Sequence, residues 1–520
     1  MDLKKLTKEE LVNYIKKKTS QAPDMIYREI KVQNIVINVI YNEHVCNSEY
    51  ISNFVIKSIN NIINENIKEK TLKEINKDNL NKFVSDKSMK VNDISNQEEL
   101  YNVLKKQLYF CKCVEFDYSK DDLFYYIYSG FVVVALDNNM LMLETRAFLN
   151  RAISEPTNEK SLKGPKDCLV ENYSQNIGLI RKRIKEEKLC LIEHKVGRRS
   201  KTKAGVLYIK DICKKELLDA INKEFENIDI DAVFDSNTIT EFFIEKNNST
   251  FFPTVISTER PDLVSNYLLQ GRIVIIVENS PFAIVFPTVI ADFFKQMDDY
   301  YEKSNSIFFV RMIRYLAFFI TLFVPAIYIA VTTFNQEALP TSLLVSFATQ
   351  REAVPASAFI EAILMIIAFE ILREGDFRTP SMGGSTLSIV GALILGEAAV
   401  SAGIVSPVMI IVIAITTISG ILFTDINLIS ALRSWRIILL IFASLGGIVG
   451  IIVGAFLMIL KIVSIDSFGV PFTYPFAPID FNELKTDTIV RRNISKHKLR
   501  SSIFTKNLNR LKYKEEKYET

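Results

Sequence analysis

Between about Met312 and Leu460 the chain carries long apolar runs separated by short connections, and three acids, Glu361, Glu370 and Glu397, fall within or beside them. Runs near the roughly 20 residues that cross a bilayer predict membrane helices. A carboxylate in hydrocarbon costs roughly 2.5–3.5 kcal/mol, so an acid there points to a partner, a wet cavity or an ion path. The residues before about Asn305 contain no such run and are rich in Lys, Glu, Asp and Asn, which predicts a water-soluble region. The near balance of the whole chain, 63 basic against 60 acidic residues in 520, therefore averages two chemically different parts.

The soluble part divides at the polar stretch Ser154–Lys166, interrupted by Pro156, Gly164 and Pro165. Its first unit, residues 1–153, reads as a strand over Ile30–Tyr41, an amphipathic helix over Ser48–Glu69 and a strand over Gln107–Phe116. A hairpin joins Phe131–Leu136 to Met140–Thr145 across Asp137, Asn138 and Asn139. The second unit, residues 154–304, opens with a helix over about Lys166–Lys188, followed by strands Leu189–Val196 and Gly205–Ile209 flanking the basic turn Gly197–Lys203. Helices Asp211–Asn227 and Pro261–Leu269, a hairpin of Arg272–Val277 with Phe282–Phe286, and an amphipathic connector, Thr288–Lys303, complete it. The expected fold class is an α/β soluble N-terminal region of two subdomains followed by an all-α polytopic transmembrane domain.

Five spans are expected within residues 305–466, over Met312–Thr333, Pro355–Leu372, Thr386–Ile404, Ser406–Phe423 and Trp435–Val463. Thr341–Phe347, bounded by Pro340 and the Arg351-Glu352 pair, reads as a re-entrant half-helix. Basic residues at the span ends put the soluble part in the cytoplasm. Five spans then export the remaining segment, 467–520, yet Lys485–Thr520 carries 11 basic against 4 acidic residues, a composition that stays inside. Span count and tail conflict.

The chemistry available is narrow. Only His44, His194 and His497 are present, scattered, and all six cysteines lie in the soluble part without a histidine cluster. No phosphate loop, nucleophile elbow or metal-ligand spacing occurs, so no enzyme, metal, cofactor or nucleic-acid function is expected. Glu361 and Glu370 lie nine residues apart, about 13.5 Å along a helix and on opposite faces. Glu361, with Ser357 a turn earlier, is the expected pore or cavity residue. Glu370, beside Arg373, reads as structural, and Glu397, between small residues, is intermediate. Arg198 and Arg199 in the basic turn suit either an anion or a subunit contact, and the basic tail suits anionic lipid headgroups.

These residues also form an ordered set of short motifs. They include Glu155-Pro156, Lys163-Gly164-Pro165, Gly197-Arg198-Arg199-Ser200, Thr258-Glu259-Arg260-Pro261-Asp262, Pro281-Phe282-Ala283 and Asp299-Tyr300-Tyr301. Arg351-Glu352 with Val354-Pro355, Glu361-Ala362, Phe369-Glu370-Ile371-Leu372-Arg373-Glu374, Gly403-Ile404-Val405-Ser406-Pro407 and Ser467-Phe468-Gly469-Val470-Pro471 continue the set. In them the chain resembles the A subunits of the GerA-type spore germinant receptors, from about Asp137 to Pro478; residues 1–129 and the basic tail depart from the pattern. The resemblance implies a multi-pass subunit of the spore inner membrane, acting with a transporter-like B subunit and a lipoprotein C subunit. It further implies a homo-oligomeric ring whose channel releases monovalent cations when nutrient binds. Arg351, Glu352, Pro355, Glu370 and Arg373 then fall to structural or gating roles, and Arg198, Arg199 and Pro281 to a soluble-domain interface. A secondary transporter and a non-conducting scaffold are the alternatives.

Overall fold

The computed structural model describes residues 8–19, 22–32, 35–57, 59–61, 113–114, 120–136, 140–147, 159–161, 163–245, 251–378, 396–490, 500–501 and 503–508. The turn Asp137–Asn139, most of the strand expected over Gln107–Phe116, the far half of the helix expected over Ser48–Glu69, most of the third span and most of the basic tail lie outside them.

The first subdomain is an antiparallel sheet in the order β1-β2-β4-β5-β3. Its strands are β1 (Met25–Val32), β2 (Ile35–Asn42), β3 (Cys113–Val114), β4 (Phe131–Ala135) and β5 (Met140–Glu144). The stretch expected as a single strand over Ile30–Tyr41 is thus divided between two paired antiparallel strands, β1 and β2. Side chains of period two serve both faces. Ile37, Val39, Val132 and Val134 pack on Ile51, Val55 and Ile59, while Ile40, Val133 and Met142 pack on helices α1 (Lys8–Lys18) and α2 (Lys120–Ile127).

The second subdomain repeats the plan: β6 (Leu189–Val196), β7 (Thr202–Ile209), β8 (Ile256–Thr258), β9 (Ile273–Val277) and β10 (Ala283–Phe286), antiparallel in the order β6-β7-β9-β10-β8. Central β9, Ile-Val-Ile-Ile-Val, is buried on both faces. Leu207, Val274, Ile276 and Val285 meet α3 (Tyr173–Arg183) and α6 (Pro261–Leu269). Val206, Ile273, Ile275 and Ile284 meet α4 (Lys215–Asn227) and α5 (Ser236–Glu245). Helix α3 begins later than its apolar spacing predicts because the Asn172 side chain accepts the Gln175 N–H and caps it.

The connector is two short 3₁₀ turns, Ile290–Phe294 and Met297–Tyr300, leading into a helical half. That half comprises α7 (Ser304–Thr333), α8 (Thr341–Arg351), α9 (Ala358–Arg378), α10 (Pro407–Ile421) and α11 (Ile426–Val463). By length and composition, Ser306–Thr333 and Ile426–Val463 can cross a membrane.

The second of these is not straight. Gly447 has φ of +57°, open to glycine, and the helix breaks there. Gly450 then lies against the Phe442 carbonyl with no room for a Cβ, and Gly454 lies against Leu439. Residues 15 apart in an unbroken helix would be about 22 Å apart. The segment therefore folds back as a helical hairpin, its tip lodged on Phe334 and Asn335 at the end of α7. Both hairpin ends return to the soluble side: Trp435 stacks at 6.4 Å on Phe252 of the second subdomain, and the Phe472 N–H that bonds Ile465 belongs to a residue whose carbonyl accepts the Ile290 N–H at 2.8 Å. The span expected over Trp435–Val463 contains a reversal and is not one straight helix.

Candidate functional site

The connector is shaped by two aspartates that each take a nearby backbone N–H: Asp292 accepts from Val289 at 3.0 Å and Asp299 from Gln296 at 3.4 Å. Both are buried, so each needs a cation. Asp292 takes Arg272 in a two-point contact of 2.6 and 2.8 Å. Arg272 also donates to the Pro287 carbonyl and lies between the Tyr267 and Phe504 rings. Asp299 takes two arginines from the first turns of α7, Arg311 at 3.0 Å and Arg314 at 2.8 and 2.9 Å. Fully buried Arg311 is also 3.2 Å from Asp487, whose other carboxylate oxygen accepts the Tyr300 hydroxyl at 2.6 Å. Planar guanidinium forks suit this buried pairing better than lysine would.

This junction continues outward. Arg260 grips Asp262 at 2.8 and 3.1 Å and reaches Asp298 at 3.2 Å; the Tyr301 hydroxyl donates to Asp262 at 2.7 Å. Burial opposes ionisation of Asp262, yet the bonds from Arg260 and Tyr301 hold its pKa below the ordinary 3.8. Nearby Glu159 goes the other way: burial pushes it up to about 7 despite the Thr258 hydroxyl bond. Between the two subdomains, fully buried Arg181 contacts Asp24 at 2.7 and 2.9 Å, Asn42 donates to Asp24 at 2.8 Å, and His44 lies 3.0 Å from the Ser174 hydroxyl.

A second polar point lies in the helical half. Glu361, 1% exposed, accepts the N–H (2.9 Å) and hydroxyl (2.8 Å) of Ser406 at the start of α10, and its other oxygen is 3.5 Å from Arg351. The carboxylate thus occupies the positive N-terminal end of α10 and ties it to α8 and α9. Within the chain it is enclosed by these partners rather than facing open space.

Ser357, Glu352 and Pro355 are exposed on the loop before α9, with the Ser357 carbonyl accepting the Glu361 N–H. Glu397 is exposed. Nine residues further along α9, half-buried Glu370 bonds Arg373 and lies 3.4 and 3.6 Å from Arg433 and Arg436 of α11. Arg198 pairs two-point with Asp229 on the surface, Arg199 is exposed, and Pro281 is half-buried in the β9–β10 turn. The structure brings Arg351 to Glu361 and Glu370 to Arg373; Glu361 and Glu370 stay apart on α9 with separate partners. Among these residues Arg272, Asp292 and Asp487 carry no role in the sequence reading, Asp299 and Ser406 enter it only within motifs, and Arg314 only as a basic residue ahead of the first span. The i, i+3 spacing of Arg311 and Arg314 ahead of an apolar run is the one signal that places two cations on a single helix face. Among the described residues, no group of His, Cys, Asp and Glu is placed to hold a metal.

Comparison with known proteins supplies the context. Residues 13–503 match the family model described as Bacillus/Clostridium GerA spore germination protein, a longer stretch than the motifs from Asp137 to Pro478, so the first subdomain lies within the match. Spore germination protein KA of Bacillus subtilis (strain 168) is 37% identical over 475 residues, covering 90% of this chain and 82% of that protein. Spore germination protein GerLA of Bacillus cereus is 32% identical over 418 residues, covering 79% and 84%. Among solved structures, the N-terminal domain of the A subunit of the Bacillus megaterium spore germinant receptor GerK3 aligns with 54% of this chain and 94% of its own length, at 25% identity and a TM-score of 0.37.

Proposed function

The chain belongs to the Bacillus/Clostridium GerA family of spore germination proteins, and on that premise we propose that it is the A subunit of a nutrient germinant receptor and forms the gated cation path of that receptor. In this reading several copies surround a path across the spore inner membrane, with the two α/β subdomains on the cytoplasmic side. B and C subunits complete the receptor and pass the nutrient signal on. Large apolar side chains that a soluble protein would cover, such as Leu445, Val449, Ile421 and Ile371, stand exposed on the helical half and suit lipid or neighbouring copies.

Buried Glu361 carries the proposal. A carboxylate kept inside an apolar helical block, bonded to Ser406 and beside Arg351, is costly to place and holds three segments in register. Enclosed, it closes the path by fixing α8 and the start of α10. Opening separates these segments and turns the carboxylates of the assembled copies toward the lumen, where they favour cations. Replacement Glu361→Gln keeps the shape and removes the charge. In a reconstituted complex it is expected to lower the preference for potassium over chloride and to change the opening threshold. Unchanged conductance and selectivity would remove Glu361 from the path.

A further inference from the structure

After the α11 hairpin, the described residues 465–490, 500–501 and 503–508 lie against the second subdomain and the connector. Phe472 is wholly buried there, and Arg500 donates to the Leu269 carbonyl at the end of α6 at 2.8 Å. Phe504 covers the Arg272 guanidinium, and Thr505 pairs with Cys213 in an antiparallel bridge. Asp487, in the turn Leu484–Thr488, reaches Arg311 of the first membrane helix. The fold could have neutralised Arg311 from the connector alone. Instead it draws the second carboxylate from a part of the chain 176 residues away.

We propose that this C-terminal segment is a latch that holds α7 closed against the connector through Asp487. The inference rests on the gated cation path proposed above and adds its restraint. The charges are local: Arg311 and Arg314 face Asp299 and Asp487, and Lys295 lies 4.0 Å from the far oxygen of Asp487. Withdrawing the segment leaves two buried guanidiniums on one carboxylate, an arrangement a low-dielectric site does not tolerate. Helix α7 then moves to rehydrate Arg311, and the resting position is lost. The bistable element is α7 on the connector, and the segment biases it by whether Asp487 is present.

The test of the latch needs no nutrient. The receptor complex is reconstituted in liposomes loaded with ⁸⁶Rb⁺, and efflux without nutrient is followed. Asp487→Asn is expected to raise basal efflux about tenfold over wild type. Arg500→Ala loosens the segment without uncovering a buried charge and is expected to give an intermediate leak, which guards against misassembly of the first variant. The lock is already half built: opposed residues of an antiparallel bridge bring Cα atoms to about 4.5–5.5 Å, within disulfide range. In Arg500→Ala carrying Thr505→Cys, which keeps the Asp487 carboxylate, oxidation to a bond with Cys213 is expected to return efflux to the wild-type level, and dithiothreitol to restore the leak. Variants no leakier than a measurably leaking wild type, undiminished efflux after cross-linking, or two thiols that do not join would each overturn the latch. No rubidium passage from wild type, Asp487→Asn and Arg500→Ala alike without nutrient would overturn the latch, and no passage when nutrient is then added to the intact complex would overturn the cation path itself.

Discussion

At the residue scale the molecule is organised by arginines paired out of reach of water, and His44 shows what depends on them. It sits at the seam between the subdomains, beside Ser174 and near Asp24, Arg181 and Lys203. Burial pushes its pKa from the ordinary 6.5 down to about 4, with Arg181 and Lys203 adding to the fall and Asp24 opposing it. A histidine kept neutral by the folded state contributes stability that is full above pH 6.5 and lost as pH falls through 4. Docking of the subdomains is therefore expected to weaken by up to about 3 kcal/mol over that window. His44→Gln should flatten the dependence; thermal melting of the soluble region at pH 7 and pH 4.5 measures it, and an unchanged pH dependence in the variant contradicts it. None of these pairings was legible beforehand. The sequence displays each charge, but Asp24 and Arg181 are 157 positions apart and Arg311 and Asp487 are 176 apart, and pairing at such range is a property of topology.

At the element scale, legibility followed how local the cause is. Strand β6 and helix α6 lie where β-branched spacing and Pro261 at the first helical position put them, because those signals act within a few residues. The hairpin in α11 was hidden, since its two arms are equally apolar and periodicity does not register a change of direction. Its length was the available clue: the 29 residues of Trp435–Val463 would extend about 43 Å, well beyond a hydrocarbon core of about 30 Å. Gly450 supports the fold-back because the Phe442 carbonyl occupies the place a side chain would take. Gly450→Ala is expected to force the arms apart at a cost of about 1–3 kcal/mol. A midpoint for detergent-solubilised protein several degrees below wild type is the expected result, while Gly446→Ala, with nothing near its Cβ, should be close to neutral. Equal midpoints for the two variants would contradict the hairpin.

At the scale of the whole molecule, the connector and a C-terminal segment converge on Arg311 and Arg314 of α7, while Glu361 fastens α9 to the start of α10. The division into soluble and apolar parts was legible because it is written in composition over hundreds of residues. The clamp between them was not, because it is assembled from Asp292, Asp299 and Asp487, which look like ordinary surface acids until the fold buries them. A path for cations controlled from the soluble side is the proposal all of this serves, and it is tested most directly by recording current across a planar bilayer holding the purified chain with the B and C subunits proposed for it in asymmetric potassium chloride. The account predicts discrete openings whose reversal potential lies near that of potassium. An electrically silent bilayer with an intact complex, or a reversal potential at that of chloride, would contradict it.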